Sequence, residues 1–223
     1  MGEIPSKKIN NVFQVSRFWT STSPDDIVMP AFVFEGASID FIVRGEKLLF
    51  SCPKLDSDGF IALFALFDTL IAFSEDYERL DVENITLREV DSYLRDSNST
   101  PSCHEFKTTE FSEYFSRTIS TLKLTSVIRQ FFIENSCSVS DLISKRNLVE
   151  QIKFLKTLAD KVAKMSEMSG VEPYRLYDWC PEKQKLSIEV QLEAPLNYES
   201  QLVLKKIFCY FDGISEVKFV ASE

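Results

Sequence analysis

The chain has 223 residues, 44% hydrophobic and 26% charged, near globular averages, which excludes wholesale disorder and allows one sizeable domain or two small ones. Its net charge of −9 opposes general attraction to nucleic acid or to an anionic membrane surface. Only six glycines, against 19 phenylalanines, leave little material for phosphate-cradling loops.

Residues 1–26 are rich in serine and threonine, carry Pro5 and Pro24, and read as a flexible polar arm with one short element around Val12, Val15 and Phe18. The polar start, Met1 to Asn11, predicts no secretory signal. Met1-Gly2 with Ser6 fits the loose myristoylation pattern, but Glu3 and Pro5 make it a poor match.

An α+β region is expected over 27–96. Short β-rich runs at 31–35 and 39–43 are followed by a turn at Gly45-Glu46 and a strand over 47–52 that ends at Pro53. Asp56, Ser57 and Asp58 offer N-caps for a helix over 59–79. Its first part, Phe60 to Phe67, is apolar on every face, so the helix must be covered on more than one side. The apolar run stops at Phe73 and contains Asp68, too short and interrupted to span a bilayer. Residues 84–90 alternate and read as a further strand.

A polar loop is expected over 97–109, then a helical region over 110–172. Phe111, Tyr114, Phe115, Thr118, Ile119 and Leu122 follow helical spacing, and Val127, Ile128, Phe131 and Phe132 continue it. A second helix is expected from Ser138 or Ser140 to Gly170, with Val149, Ile152, Leu155, Ala159 and Val162 as its buried stripe. The two helices together suggest an antiparallel helical hairpin.

Over 173–223 a β-α-β unit is expected. Leu186, Ile188, Val190 and Leu192 alternate with polar residues, a helix runs over 198–211 to Gly213, and Val217 to Val220 closes it as a parallel strand. Residues 48–90 echo this order weakly. The fold class is therefore α+β, a mixed sheet with a helical insertion, in which the C-terminal unit shares a sheet with 27–96.

No catalytic, cofactor or metal constellation emerges. Cys52, Cys103, Cys137, Cys180 and Cys209 are odd in number and unpaired in spacing, which suits free thiols in a reducing compartment. The one histidine, His104, stands in a polar stretch beside Cys103, where adjacency disfavours a Cys–His nucleophile. Asp56-Ser57-Asp58-Gly59 resembles the start of a calcium loop, but its twelfth position is Phe67 instead of glutamate. Phosphate-binding and nucleophile-elbow motifs are missing.

Charge is unevenly laid out. Seven acids against two bases lie in 75–91, whereas nine bases against four acids lie in 117–164. The basic stretch suits partner binding, with Arg146, Lys153, Lys156, Lys161 and Lys164 as candidates. The sequence thus points to a cytoplasmic, non-catalytic protein-binding adaptor, chaperone-like protein or complex subunit, without nucleic acid or a membrane span. A small enzyme using carboxylates or a free cysteine, and an immunity-type inhibitor of a basic protein, are the alternatives.

Overall fold

A computed structural model describes residues 7–34, 37–53, 58–76, 82, 84–96, 108–135, 146–169, 174–190, 198–211 and 214–221. Among them are six helices and two three-stranded sheets, an α+β architecture. The chain divides into two compact units, Met1–Ser126 and Val127–Glu223.

In the first unit, residues 7–26 of the expected arm include packed structure. Helix α1 (Lys7–Gln14) buries Ile9, and Phe13 sets its ring 5.0 Å from Phe64. An eight-residue helix is too short to hold alone, and its first amides find an acceptor far along the chain. Asp96 accepts from Lys7 N at 2.6 Å and from Lys8 N at 3.1 Å.

Strands β1 (Ile27–Phe34), β2 (Ala37–Arg44) and β3 (Lys47–Ser51) form the expected antiparallel meander. Gly45 has φ +59°, the left-handed conformation asked of the first residue in a two-residue hairpin turn between the Arg44–Lys47 pair. Phe41 and Phe50 pair across β2 and β3 and aim at helix α2 (Asp58–Asp76), where Phe41 meets Phe67 at 5.0 Å and Phe50 meets Phe64 at 4.9 Å. Every side chain of α2 from Ala62 to Ile71 is buried, as an all-round apolar helix requires. The expected caps Asp56 and Ser57 lie outside the described residues.

The strand expected at 84–90 is not formed: residues Leu87–Leu94 are helix α3. Thr86 is its N-cap, its hydroxyl accepting from Glu89 N while Glu89 accepts from Thr86 N at 2.8 Å. That capping box outweighs a four-residue alternation, because it satisfies two amides at the helix start from within the segment. Val90 and Leu94 bury the inner face, and Tyr93 packs edge-on to Phe73 at 5.5 Å. Without a second strand, the echo of a β-α-β unit in 48–90 disappears. Thr86→Ala is expected to lower the melting temperature through a loss of about 1 kcal/mol, measured by calorimetry; an unchanged melt would show the cap to be idle.

An ion pair secures the entry to β1. The Asp26 side chain is fully covered and accepts from Arg44 Nε at 2.7 Å and Nη2 at 2.8 Å. The Arg44 guanidinium holds the Asp26 carboxyl below its ordinary value, with Ser23 N assisting. A depressed carboxyl stabilises the fold above the unfolded pKa of about 3.9 and loses that contribution as pH falls through the folded value. Asp26→Asn should therefore destabilise at neutral pH, and the gap to wild type should close in acid-titrated melts; a constant gap would refute this.

Helix α4 (Thr108–Asn135) contains the boundary between the units. Phe115, Thr118, Ile119 and Leu122 form its buried stripe in the first unit, and Val127, Ile128, Phe131 and Phe132 in the second. The two expected helical runs are one helix. The side chains of Phe111 and Tyr114, and most of the loop expected over 97–109, fall outside the described residues.

In the second unit, helix α5 (Leu148–Ser169) begins later than the sequence suggests. Ser138 and Ser140 lie outside the described residues, and residues 146–147 are not helical. Strand β4 (Tyr174–Cys180), which pattern reading overlooked, pairs antiparallel with β5 (Lys185–Val190). Helix α6 (Tyr198–Cys209) then crosses over to β6 (Glu216–Ala221), parallel to β5 as expected. Leu186, Ile188, Val203, Leu204, Ile207 and Phe208 supply the core between sheet and helix. Gly213, the expected stop of α6, is outside the described residues.

Among the described residues, the sheet expected to join the two regions is not shared: the orders are β1-β2-β3 and β4-β5-β6. One edge of the first sheet is partly paired and the other is interrupted. The outer edge of β3 is occupied by residues 18–20, since Phe50 N donates to Phe18 O and Thr20 N to Phe50 O, each at 2.9 Å. The edge strand β1 carries Pro30, which has no N–H, and an irregular register between Pro30 and Phe32.

Candidate functional site

Helix α5 carries the surface most suited to binding, and its first turn is locally determined. Glu150 N donates to Asn147 Oδ1 at 3.0 Å while Asn147 N donates to Glu150 Oε2 at 3.3 Å. This reciprocal cap sets where Leu148 and Val149 point. Two inward anchors hold the helix. Trp179 Nε1 donates to Gln151 Oε1 at 3.0 Å, tying α5 to β4, and Phe154 meets Phe211 edge-on at 5.3 Å.

The buried stripe is Leu155, Leu158, Ala159 and Val162. At 100° per residue, continuing that face toward the N-terminus reaches Gln151 and Leu148, not Val149. The sequence-based assignment of Val149 and Ile152 to the buried stripe is thereby corrected: they are 61% and 43% exposed, and Leu148 is 53% exposed. The outer half of the helix carries Val149, Lys153, Lys156, Thr157, Asp160 and Lys161, all exposed, with Ile152 at its margin. Leu148 is in register with the buried stripe and is exposed beyond the end of it.

The five basic candidates therefore separate. Lys153, Lys156 and Lys161 are exposed on this face. Arg146 is not beside them, because its guanidinium lies over the Phe154 ring at 4.5 Å. The Lys164 side chain is outside the described residues. Leu148, Val149 and Ile152 were missed as surface residues; the signal was Gln151, a polar residue in register with the buried stripe.

The other described polar contacts link elements of the fold. The Asp68 carboxylate in α2 binds chain entering β3's edge, accepting from Ser16 Oγ at 2.6 Å, Arg17 N at 3.1 Å and Phe18 N at 3.3 Å. On the second sheet Arg175 pairs with Glu189, and Lys185 with Glu216, each pulling the carboxyl below its ordinary value. Burial pushes the Cys209 thiol up, opposite to what a nucleophile needs. Cys52, Cys180 and Cys209 are free thiols; Cys103, Cys137 and His104 lie outside the described residues. Among the described residues there is no group of three histidine, cysteine or acidic side chains placed to hold a metal. Nor is any helix among them long and apolar enough to cross a membrane. No protein-family model matches the chain, and no curated protein or solved structure matches it either.

Proposed function

We propose that this chain is a non-catalytic binding protein, an adaptor or chaperone-like subunit of a cytoplasmic multiprotein complex, and that it engages a protein partner through the outward face of α5. One observation carries the reading: three aliphatic side chains exposed on consecutive turns of a capped, anchored helix, continued by exposed lysines. Scattered exposed apolar residues are ordinary, but an aliphatic cluster rimmed by charge on a rigid element has the anatomy of an interface. Such a face binds with little ordering cost, because the Asn147–Glu150 cap and the Trp179–Gln151 bond already hold it.

The test is the kinetics of a reconstituted complex. A stoichiometric partner from native cells would be purified and its rates measured with wild type and with Lys153→Glu/Lys156→Glu. Reversal should leave the melt unchanged, because exposed charges contribute little to folding. It should slow association about tenfold at low salt, with the loss fading at high salt. Unchanged rates, or a chain that stays a monomer without a stoichiometric partner, would refute the proposal.

A further inference from the structure

We infer that β6 pairs antiparallel with β6 of a second copy of this chain, about a two-fold axis at Phe219. Two copies of the second sheet then form one continuous sheet. This pairing does not depend on the α5 reading. An open strand edge invites pairing, and three of the four sheet edges in this protein carry a feature that discourages it. Strand β1 has Pro30 and an irregular register, β3 has residues 18–20 hydrogen-bonded to it, and the register of β4 shifts between Leu176 and Asp178. Strand β6 has none of these. It follows β5 without a break over six residues, contains no proline, and has no described strand beyond it.

The direction of the backbone groups sets the register. Glu216 N donates to Gln184 O at 3.3 Å, so in the parallel ladder Glu216, Lys218 and Val220 turn their N–H and C=O toward β5. Val217, Phe219 and Ala221 therefore turn theirs outward. Antiparallel pairing about Phe219 sets Phe219 opposite its own copy and Val217 opposite Ala221, so that every outward N–H and C=O of these three residues is bonded. Pairing about Lys218 leaves Ala221 unbonded and sets two lysines directly opposite each other, where like charges repel. In the register about Phe219, Lys218 faces Val220 of the second copy and keeps Glu216 of its own strand 3.7 Å away. The side chains fit the same register. Phe219 stands on the helix side of the sheet, opposite the fully buried Ile188, yet at the sheet's edge it is only half-buried. The Phe219 ring of a second copy covers that open flank.

The test is sedimentation of the full chain over a range of concentrations, with amide exchange read residue by residue. The chain should dimerise, and the amides of Val217, Phe219 and Ala221 should gain protection with concentration. Those of Lys218 and Val220, already bonded to β5, should not. Ala221→Pro removes one outward N–H at an exposed position, and should abolish dimerisation while leaving the melt in dilute solution unchanged. Val220→Lys sets a lysine opposite Lys218 in both halves of the dimer and should weaken it about tenfold at low salt. Val220→Glu should tighten it severalfold. A chain that sediments as a monomer at every concentration overturns the inference, as does equal protection throughout 216–221. Tighter association of Val220→Lys also overturns it, since pairing about Lys218 would bring residue 220 opposite Glu216. A monomer whose outward amides are protected only in a native complex overturns it too, and assigns the edge to a strand of another protein.

Discussion

Phe67→Ala is expected to cost the first unit about 3–5 kcal/mol, the usual loss when a buried aromatic ring is truncated. Phe67 is fully buried on α2, with the rings of Phe41 at 5.0 Å and Phe50 at 6.0 Å. Those two rings stand on paired positions of adjacent strands, so neither can move into the vacated space without breaking the ladder. The cavity therefore stays largely open, and its cost adds to the lost transfer energy. Against a domain stability of about 5–15 kcal/mol, the variant should unfold at a much lower denaturant midpoint or fail to express in soluble form. Phe73→Ala, at a half-buried position touching Tyr93, serves as the contrast and should cost clearly less. Equal midpoints for Phe67→Ala and wild type would show that α2 is not the centre of this core.

Asp68→Leu should have the second largest effect, and a distinct one. One carboxylate oxygen accepts from Ser16 Oγ, Arg17 N and Phe18 N, and these three residues lead directly into the segment hydrogen-bonded to β3. Leucine fills similar space yet accepts nothing, and each donor left buried without a partner costs about 1–3 kcal/mol. The segment would relieve this by detaching, which frees the edge of β3. Expected readouts are faster amide exchange at Thr20 and Phe50, a lower melting temperature, and concentration-dependent association through the exposed edge. Asp68→Asn retains an acceptor oxygen and should be far milder. If Asp68→Leu leaves exchange at Thr20 and Phe50 unchanged, the carboxylate is not what holds the segment.

Parts of this protein were legible in its sequence because one short-range signal was sufficient. Strict alternation from Leu186 to Val190 specified a half-buried strand, and Gly45 specified the hairpin, since its left-handed backbone is costly for other residues. The all-round apolar surface of α2 required cover on several sides, which α1 and the first sheet supply. Other features depended on contacts across long stretches of chain. Residues 7–18 looked like a polar arm because their acceptors, Asp68 and Asp96, lie some 50 to 90 positions away. At 84–90, alternation and a capping box competed within the same few residues, and the helix won because the box satisfies its first amides within the segment itself. That the strands form two sheets and not one was decided by pairing between residues far apart in sequence. The same division runs through α5. Its lysines were legible as a basic face from composition alone, but the exposure of Leu148, Val149 and Ile152 followed from tertiary anchors: Trp179 and Phe211 fix the helix's rotation through Gln151 and Phe154. Periodicity says that a helix has an apolar face, whereas only the packing partner decides where along the helix that face stops being covered.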